Sequence, residues 1–151
     1  MDYGLEHICS YTATLAQPEV IGPVPEGIRA NFLVTGGELI GPKVRGILRA
    51  TGGDWVTIRR DGVAILDVKA TIETHDGALI LVTYSGMIDL GEDGYDRFLR
   101  GELPPVTHIR TTPRFFAGHP SYAWLNRLHC LGVGEGHLAE NRVCYDVYAV
   151  R

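Results

Sequence analysis

Three side chains able to carry protons lie close together in the sequence, and they are the best candidates for chemistry. Asp67 and Lys69 are two positions apart in ILDVKA, and Tyr84 lies in LVTYSG. Side chains two positions apart share one face of a β-strand. A carboxylate can act as a general base when an apolar wall raises its pKa, and a phenol or an ammonium group can stabilise the oxyanion that forms. The pattern predicts catalytic roles for Asp67, Tyr84 and Lys69.

Two tight turns must position these residues. Asp61-Gly62 and Asp76-Gly77 divide residues 52–86 into three segments rich in Val, Ile, Leu and Thr. An Asp-Gly pair between such segments is the strongest short-range signal for a β-hairpin with a two-residue turn. We therefore predict three antiparallel strands here.

The register of these hairpins decides which side chains share a face. Two-residue turns place Asp54 opposite Lys69, Lys69 opposite Tyr84, and Asp67 opposite Gly86. We expect Asp54, Asp67, Lys69 and Tyr84 on one face among branched aliphatic residues, with space for a ligand beside Gly86. Such a face is typical of an apolar pocket with a few convergent polar groups. The same alternation also fits a solvated sheet face that carries a contact between Lys69 and Tyr84.

Turn signals recur along the whole chain and predict an all-β protein. We expect a single domain, residues 1–151, built as one antiparallel β-barrel or closed sandwich of about eight to ten strands with little helix. Further strands are predicted at residues 5–16, 28–35, 38–50, 106–116 and 142–150. Residues 122–130 fit a strand or a short helix, and residues 132–136 (GVGEG) are predicted as a loop. Residues 88–105, with a short helical turn, are the best candidate for a flexible lid.

Three other residues are predicted to bind a ligand together with Asp54 and Gly86. Arg110 can bind a carboxylate or an enolate, or extend into solvent. Asn126 can offer a hydrogen bond beside the stacking surface of Trp124, although Asn also caps turns and Trp is often a core residue.

Composition and charge exclude several classes of function. The net charge is -4 with Lys and Arg scattered, so we expect no nucleic-acid partner. No run of about 18 apolar residues is present, and the first residues lack the pattern of a signal peptide, so we expect no membrane partner and a cytoplasmic location.

Motifs for metals and cofactors are also missing. The six histidines show no metal-ligand spacing, and the three cysteines have no C-x-x-C motif. The sequence has no G-x-S-x-G elbow, dinucleotide fingerprint or Walker motif. We therefore expect no metal and no cofactor.

Several short motifs occur in an order that resembles a known family. They are GGELIGPKVRG, GGDW, the dipeptide Leu66-Asp67, THDGALI followed by Tyr84-x-Gly86, RTTPRF and YAWLN. In this order, over most of the chain from about Gly27 to Val150, they resemble the Domain of Unknown Function 3237 family (uncharacterised protein family 0311). The resemblance implies a closed antiparallel β-barrel in one domain, in a family whose activity is not generally established.

Two hypotheses for the function follow, both with a small, partly apolar molecule as the partner. The first is an enzyme without an organic cofactor that transfers protons on a small carbonyl compound, as an isomerase, cyclase or lyase, with Asp67 as the base. The second is a non-catalytic, lipocalin-like binding protein, in which Asp67 is paired with Lys69. Association of copies through a barrel edge, as a homo-oligomer, is compatible with either.

Overall fold

Ten β-strands make up most of the protein in a computed structural model that describes residues 1–151. The strands are β1 (Leu5–Leu15), β2 (Glu19–Val24), β3 (Gly27–Ile40), β4 (Arg45–Ile58), β5 (Val63–Thr74), β6 (Leu79–Asp89), β7 (Thr107–Thr111), β8 (Arg114–Ala117), β9 (Cys130–His137) and β10 (Arg142–Val150). One α-helix, α1 (Gly94–Leu99), and two 3-10 helices, Pro120–Arg127 and Leu138–Glu140, complete the chain. None of these helices has the length and apolar character needed to cross a lipid bilayer.

The sheet closes on itself. Its strand order is β1-β10-β9-β7-β6-β5-β4-β3-β2, and β1 also pairs with β3. Eight strands therefore form an antiparallel ring, while β2 extends from β3 and β8 continues the β7 position along β6. The predicted all-β barrel is confirmed. Most of the buried side chains fill its interior, because inward and outward positions alternate along each strand.

Both central hairpins differ from the prediction by one residue. In the first, the N–H of Arg59 donates to the carbonyl of Val63 over 2.9 Å, so the loop has three residues: Arg60, Asp61 and Gly62. In the second, the N–H of Thr74 donates to the carbonyl of Ala78, also over 2.9 Å. Its loop is His75, Asp76 and Gly77. Gly62 and Gly77 have φ angles of 84° and 87°, as expected for the glycine that ends a three-residue hairpin loop.

The extra loop residue makes the predicted register wrong. Asp54 and Tyr84 both pair with Val68, while Asp67 pairs with Ser85 and Lys69 with Gly53 and Thr83. A shift of one residue exchanges the two faces of a strand. Leu66, Val68 and Ala70 therefore face the interior, and Asp67 and Lys69 face outward.

The glycine-rich segment predicted as a loop is instead strand β9, between β7 and β10. Its glycines face the interior, where a side chain at Gly134 would lie 2.6 Å from Cε1 of Tyr145. Each interior glycine leaves room for a larger neighbour, and Gly132 and Gly136 do so for Thr111 and Thr107. The prediction failed because the absence of side chains suggested a flexible loop rather than a strand in close contact with its neighbours.

Different elements cover the two ends of the barrel. The 3-10 helix Pro120–Arg127 covers one end, where the hydroxyl of Tyr122 donates to Asp76 over 2.6 Å. Residues 90–103, here called the α1 segment, cover the other end, where the N–H of Leu90 donates to the carbonyl of Gly62 over 3.0 Å. The interior therefore has one end beside each hairpin loop.

We predict that Gly86 is essential for the close approach of β6 and β7. A Cβ atom there would collide with the carbonyl oxygen of Arg110 and lie 2.7 Å from Cγ2 of Thr111. Gly86→Ala should therefore destabilise the protein by about 1–3 kcal/mol. Gly118→Ala is the matched control, because a Cβ at Gly118 meets nothing within 4 Å. Urea denaturation measures both variants, and equal losses of stability would contradict the prediction.

Candidate functional site

The barrel interior contains a cavity of about 70 Å³ with very few polar groups. Of the 28 residues that line it, 25 are hydrophobic, and the other three are Gly53, Asp54 and Thr107. The hydrophobic set includes three tyrosines, whose hydroxyl groups are polar. The cavity thus has the composition of a small-molecule site: an apolar wall with a few groups that can orient a ligand.

Asp54 is the one carboxylate in this lining. It lies on β4 with Val56 and Ile58 following on the same inward face, and it pairs with Phe32 on one side and Val68 on the other. Its Oδ1 atom accepts a hydrogen bond from the backbone N–H of Asp67 over 2.9 Å. No protein group donates to its Oδ2 atom, so that oxygen is free to accept a proton.

Burial raises the pKa of Asp54 to about 7. The main cause is the loss of water around the carboxylate; the charge of Asp67 adds to it, while the hydrogen bond from the Asp67 N–H opposes it. A group with a pKa near neutrality can both take up and release a proton at physiological pH.

Two tyrosines meet in the middle of the barrel. Tyr11 on β1 and Tyr84 on β6 come from opposite walls of the eight-strand ring, and the hydroxyl of Tyr11 donates to that of Tyr84 over 2.8 Å. A third, Tyr145 on β10, stacks on Tyr11 with ring centroids 4.8 Å apart and contacts Tyr84 edge-on at 5.7 Å. The Tyr84 hydroxyl accepts the bond from Tyr11 and also interacts with the hydroxyl of Tyr145, so the three phenols form one polar cluster.

The three phenols remain protonated. Burial raises the pKa of Tyr11, Tyr84 and Tyr145 well above the ordinary value, and the charge of Asp54 contributes to each rise. A neutral phenol in an apolar cavity can donate a hydrogen bond to a carbonyl oxygen and stabilise negative charge that develops there. The cavity therefore combines a proton acceptor, Asp54, with hydrogen-bond donors.

The three residues predicted to be catalytic are not brought together. Asp67 and Lys69 are exposed on the outer face of β5, while Tyr84 lies inside the barrel. The predicted cluster therefore does not form, because the longer hairpin loops shift the register. Asp54 takes the position in the cavity that the sequence suggested for Asp67.

The remaining predicted ligand-binding residues lie away from the cavity. Arg110 is exposed on the outer face of β7, and its guanidinium donates to the carbonyl of Ile109 over 2.9 Å. Asn126 makes two 2.8 Å hydrogen bonds with the backbone of Ala117, which fixes the 3-10 helix to β8. Trp124, on the same helix, lies 5.8 Å from the Nζ atom of Lys43. Gly86, as described above, is filled by the neighbouring strand rather than open to a ligand.

The sequence did not lead us to predict Tyr11 or Tyr145 as site residues. A signal for both exists in the alternation of β1 and β10, where Tyr11 precedes Ala13, and Tyr145 lies between Val143 and Val147 on the inward face. The pattern indicates burial, but not that these rings meet Tyr84.

No three His, Cys, Asp or Glu side chains are grouped so that they could hold a metal ion. Polar side chains also line an open groove of about 580 Å³ on the outside of the barrel. It contains Arg110, His108, Glu135 and Asp146. The interior of the barrel differs from this groove because its lining is almost entirely hydrophobic.

We predict that Asp54 makes stability depend on pH. Between the ordinary pKa of 3.8 and about 7, the unfolded chain releases a proton that the folded protein keeps, so stability falls as the pH rises. Above pH 7 the buried charge costs up to about 4 kcal/mol. Asp54→Asn should therefore stabilise the protein at pH 8 but not at pH 4, as measured by urea denaturation.

Asp96→Asn is the matched control, because Asp96 is an exposed carboxylate on α1. It should leave the difference in stability between pH 4 and pH 8 as in the wild type. If both variants change that difference equally, burial of Asp54 is not its cause.

Comparison with known proteins places the chain in a family. Residues 3–150 match the family described as "Protein of unknown function (DUF3237)". UPF0311 protein RPA1785 of Rhodopseudomonas palustris is 32% identical over 147 residues, which are 96% of this chain and 95% of that protein. The crystal structure of RPA1785, 31% identical, has a TM-score of 0.86 and covers 100% of this chain and 99% of its own.

Two further solved structures share the fold. A β-barrel-like protein from Acinetobacter baumannii is 26% identical with a TM-score of 0.83, over 100% of this chain and 98% of that one. An enzyme from Penicillium herquei is 24% identical with a TM-score of 0.70, over 98% and 96% of the two chains. The match to nearly the whole chain, and the identity to RPA1785, show that this protein belongs to the DUF3237 family and is a relative of the UPF0311 proteins.

Proposed function

We propose that the protein is an enzyme that transfers a proton on a small, mostly apolar carbonyl compound bound inside the barrel, without an organic cofactor. The reaction class is isomerisation, cyclisation or elimination. One observation carries the proposal: a carboxylate with a pKa of about 7 shares an otherwise apolar cavity with three neutral phenols. Desolvation of a charged group costs free energy, and groups with pKa values shifted in this way are often found at catalytic sites.

In the proposed step Asp54 is the general base. Its Oδ2 atom takes a proton from the carbon next to the carbonyl group, and the C–H electron pair forms a carbon–carbon double bond. The carbonyl π electrons move to oxygen, and the hydroxyl of Tyr84 donates a hydrogen bond to the resulting oxyanion. The protonated Asp54 then returns the proton to another atom of the substrate, which completes an isomerisation or allows a leaving group to depart.

Tyr11 and Tyr145 support this step without contacting the reacting carbon. Tyr11 donates to the oxygen of Tyr84, which makes the Tyr84 proton a better donor to the substrate. Tyr145 packs against both rings and limits their rotation. Both are positioning residues. The fold is compatible with catalysis, since the barrel from Penicillium herquei is described as an enzyme.

Proton exchange tests this proposal before the natural substrate is known. Cyclic ketones such as 2-tetralone are incubated with the protein in D2O, and ¹H NMR measures deuterium uptake beside the carbonyl. Wild-type protein should accelerate uptake for at least one ketone, and the rate should rise up to about pH 7 as Asp54 loses its proton. Asp54→Asn should lower the rate by about 10²–10⁴-fold. Tyr84→Phe should lower it by about 10²–10³-fold.

Glu19→Gln is the matched control, because Glu19 is an exposed carboxylate on β2, outside the eight-strand ring. It should leave the rate close to that of the wild type. Equal rates in wild-type protein and Asp54→Asn would refute the proposal. A ketone that quenches tyrosine fluorescence but takes up no deuterium would favour the second function, a lipocalin-like binding protein, which the largely hydrophobic lining also suits.

A further inference from the structure

The volume of the cavity raises the question of how a ligand enters. About 70 Å³ is room for a few water molecules, and a cyclic ketone needs more. Three residues of the segment that covers one end of the barrel also line the cavity: Leu90, Phe98 and Leu103. Phe98 is partly buried and Leu103 is 37% exposed. Phe98 and Leu103 lie between the cavity and solvent, and both belong to the α1 segment rather than to a barrel strand.

The first half of this segment is held firmly on the barrel. Gly62 approaches the carbonyl of Gly91 so closely that a Cβ at Gly62 would collide with it. Tyr95 is buried, and the Arg60 guanidinium lies 5.3 Å from its ring. Residues 91–95 therefore form a fixed anchor on the first hairpin loop.

The second half, residues 96–103, is held differently. Its ion pairs join Arg97 to Asp93 over 3.8 Å and to Glu102 over 4.0 Å, and Arg100 to Glu102 over 3.1 Å. Its backbone hydrogen bonds are also made within the segment, including one from the N–H of Glu102 to the carbonyl of Arg97. None of these polar contacts reaches a barrel strand. Only the apolar contacts of Phe98 and Leu103 attach this half to the cavity, so it can move without losing a hydrogen bond to the barrel.

Gly101, in the second half of the segment, can act as the pivot of such a movement. Gly101 has a φ angle of 74°, and a Cβ added there would meet nothing within 4 Å. Its left-handed conformation is therefore set by the path of the chain rather than by close packing. Pro104 and Pro105 follow and restrict the chain beyond it.

We propose that residues 96–103 are a lid that opens between the Tyr95 anchor and Pro104, with Gly101 as an internal pivot, and that Phe98 determines the size of the ligand the closed barrel accepts. The kind of ligand rests on the proposed function: it is a compact apolar molecule that displaces the Phe98 ring. The lid itself follows from the contacts of the segment and does not depend on the reaction.

Two pairs of matched variants test the lid, with the uncharged dye N-phenyl-1-naphthylamine, which fluoresces in apolar sites, as the probe. Gly101→Ala introduces a side chain that disfavours the closed backbone, so the dye should associate about tenfold faster in stopped flow. Gly77→Ala is the control, because Gly77 has a φ angle of 87° and the same open surroundings in the hairpin loop at the other end. It should leave the association rate unchanged.

The second pair tests the role of Phe98. Phe98→Ala should bind the dye about tenfold more tightly, because it leaves the space of the ring to the ligand. Leu99→Ala is the control, since Leu99 is the next residue of α1 and is exposed. Equal association rates for Gly101→Ala and Gly77→Ala would overturn the lid, and equal affinities for Phe98→Ala and Leu99→Ala would overturn the size limit. Absence of binding to both wild-type protein and Phe98→Ala would overturn the proposal as a whole.

Hydrogen exchange provides a measurement without any ligand. The amides of residues 96–101 should exchange together and at least about tenfold faster than those of β6, since opening leaves the barrel intact. Exchange at the rate of β6 would contradict the lid. The dye has no carbonyl group, so Asp54→Asn should retain all these lid properties. If the wild-type protein catalyses no proton exchange but shows the expected dye kinetics, the proposed function alone fails. If the wild-type protein catalyses proton exchange but Gly101→Ala and Gly77→Ala bind the dye at equal rates, the lid alone fails.

Discussion

Pairing of β1 with β3 is the interaction on which the rest of this structure depends. It joins residues from Ser10 to Leu15 with residues from Val34 to Ile40 and closes the ring of eight strands. A closed ring has no free edge, and its interior can be filled by side chains with little water. The high pKa of Asp54 follows from this closure, because the same carboxylate on an open sheet would remain hydrated. Fold and proposed chemistry therefore have one physical origin, a largely apolar interior whose lining contains one carboxylate.

The fold was predictable from the sequence because turn signals and alternating side chains occur along the whole chain. The site was predictable only in part. An Asp-Gly pair indicates a turn but does not set the number of loop residues, and Arg60 and His75 each add one residue to their loops. A single added residue reverses which face is inside. The sequence prediction nevertheless placed Asp54 and Tyr84 on a common face, as they are in the structure. Each hairpin error shifted β5 by one residue relative to its neighbour, and the two errors cancel between β4 and β6, so Asp54 and Tyr84 stay aligned.

The tyrosine cluster lay beyond sequence reasoning for another reason. Tyr11 and Tyr145 are far apart in the chain and meet because the first and last strands of the barrel are neighbours in the ring. Gly134 leaves the space that the Tyr145 ring occupies, yet a glycine-rich segment such as β9 has little in its sequence to distinguish it from a loop. Both facts depend on long-range pairing, which one sequence without its relatives does not reveal.

The hydrogen bond between Tyr11 and Tyr84 has a consequence for the shape of any bound molecule. It joins opposite walls part-way along the cavity, whose lining continues along β5 on both sides of Val68. Val68, which pairs with Tyr84, lies four residue steps along β5 from Ala64 at the α1 end, a length of about 13 Å along the strand. A molecule that enters from the α1 end meets the two hydroxyl groups at that depth. Under the proposed function, the protein can therefore select ligands by length as well as by polarity, because the Tyr11–Tyr84 pair sets the depth at which a ligand meets polar groups.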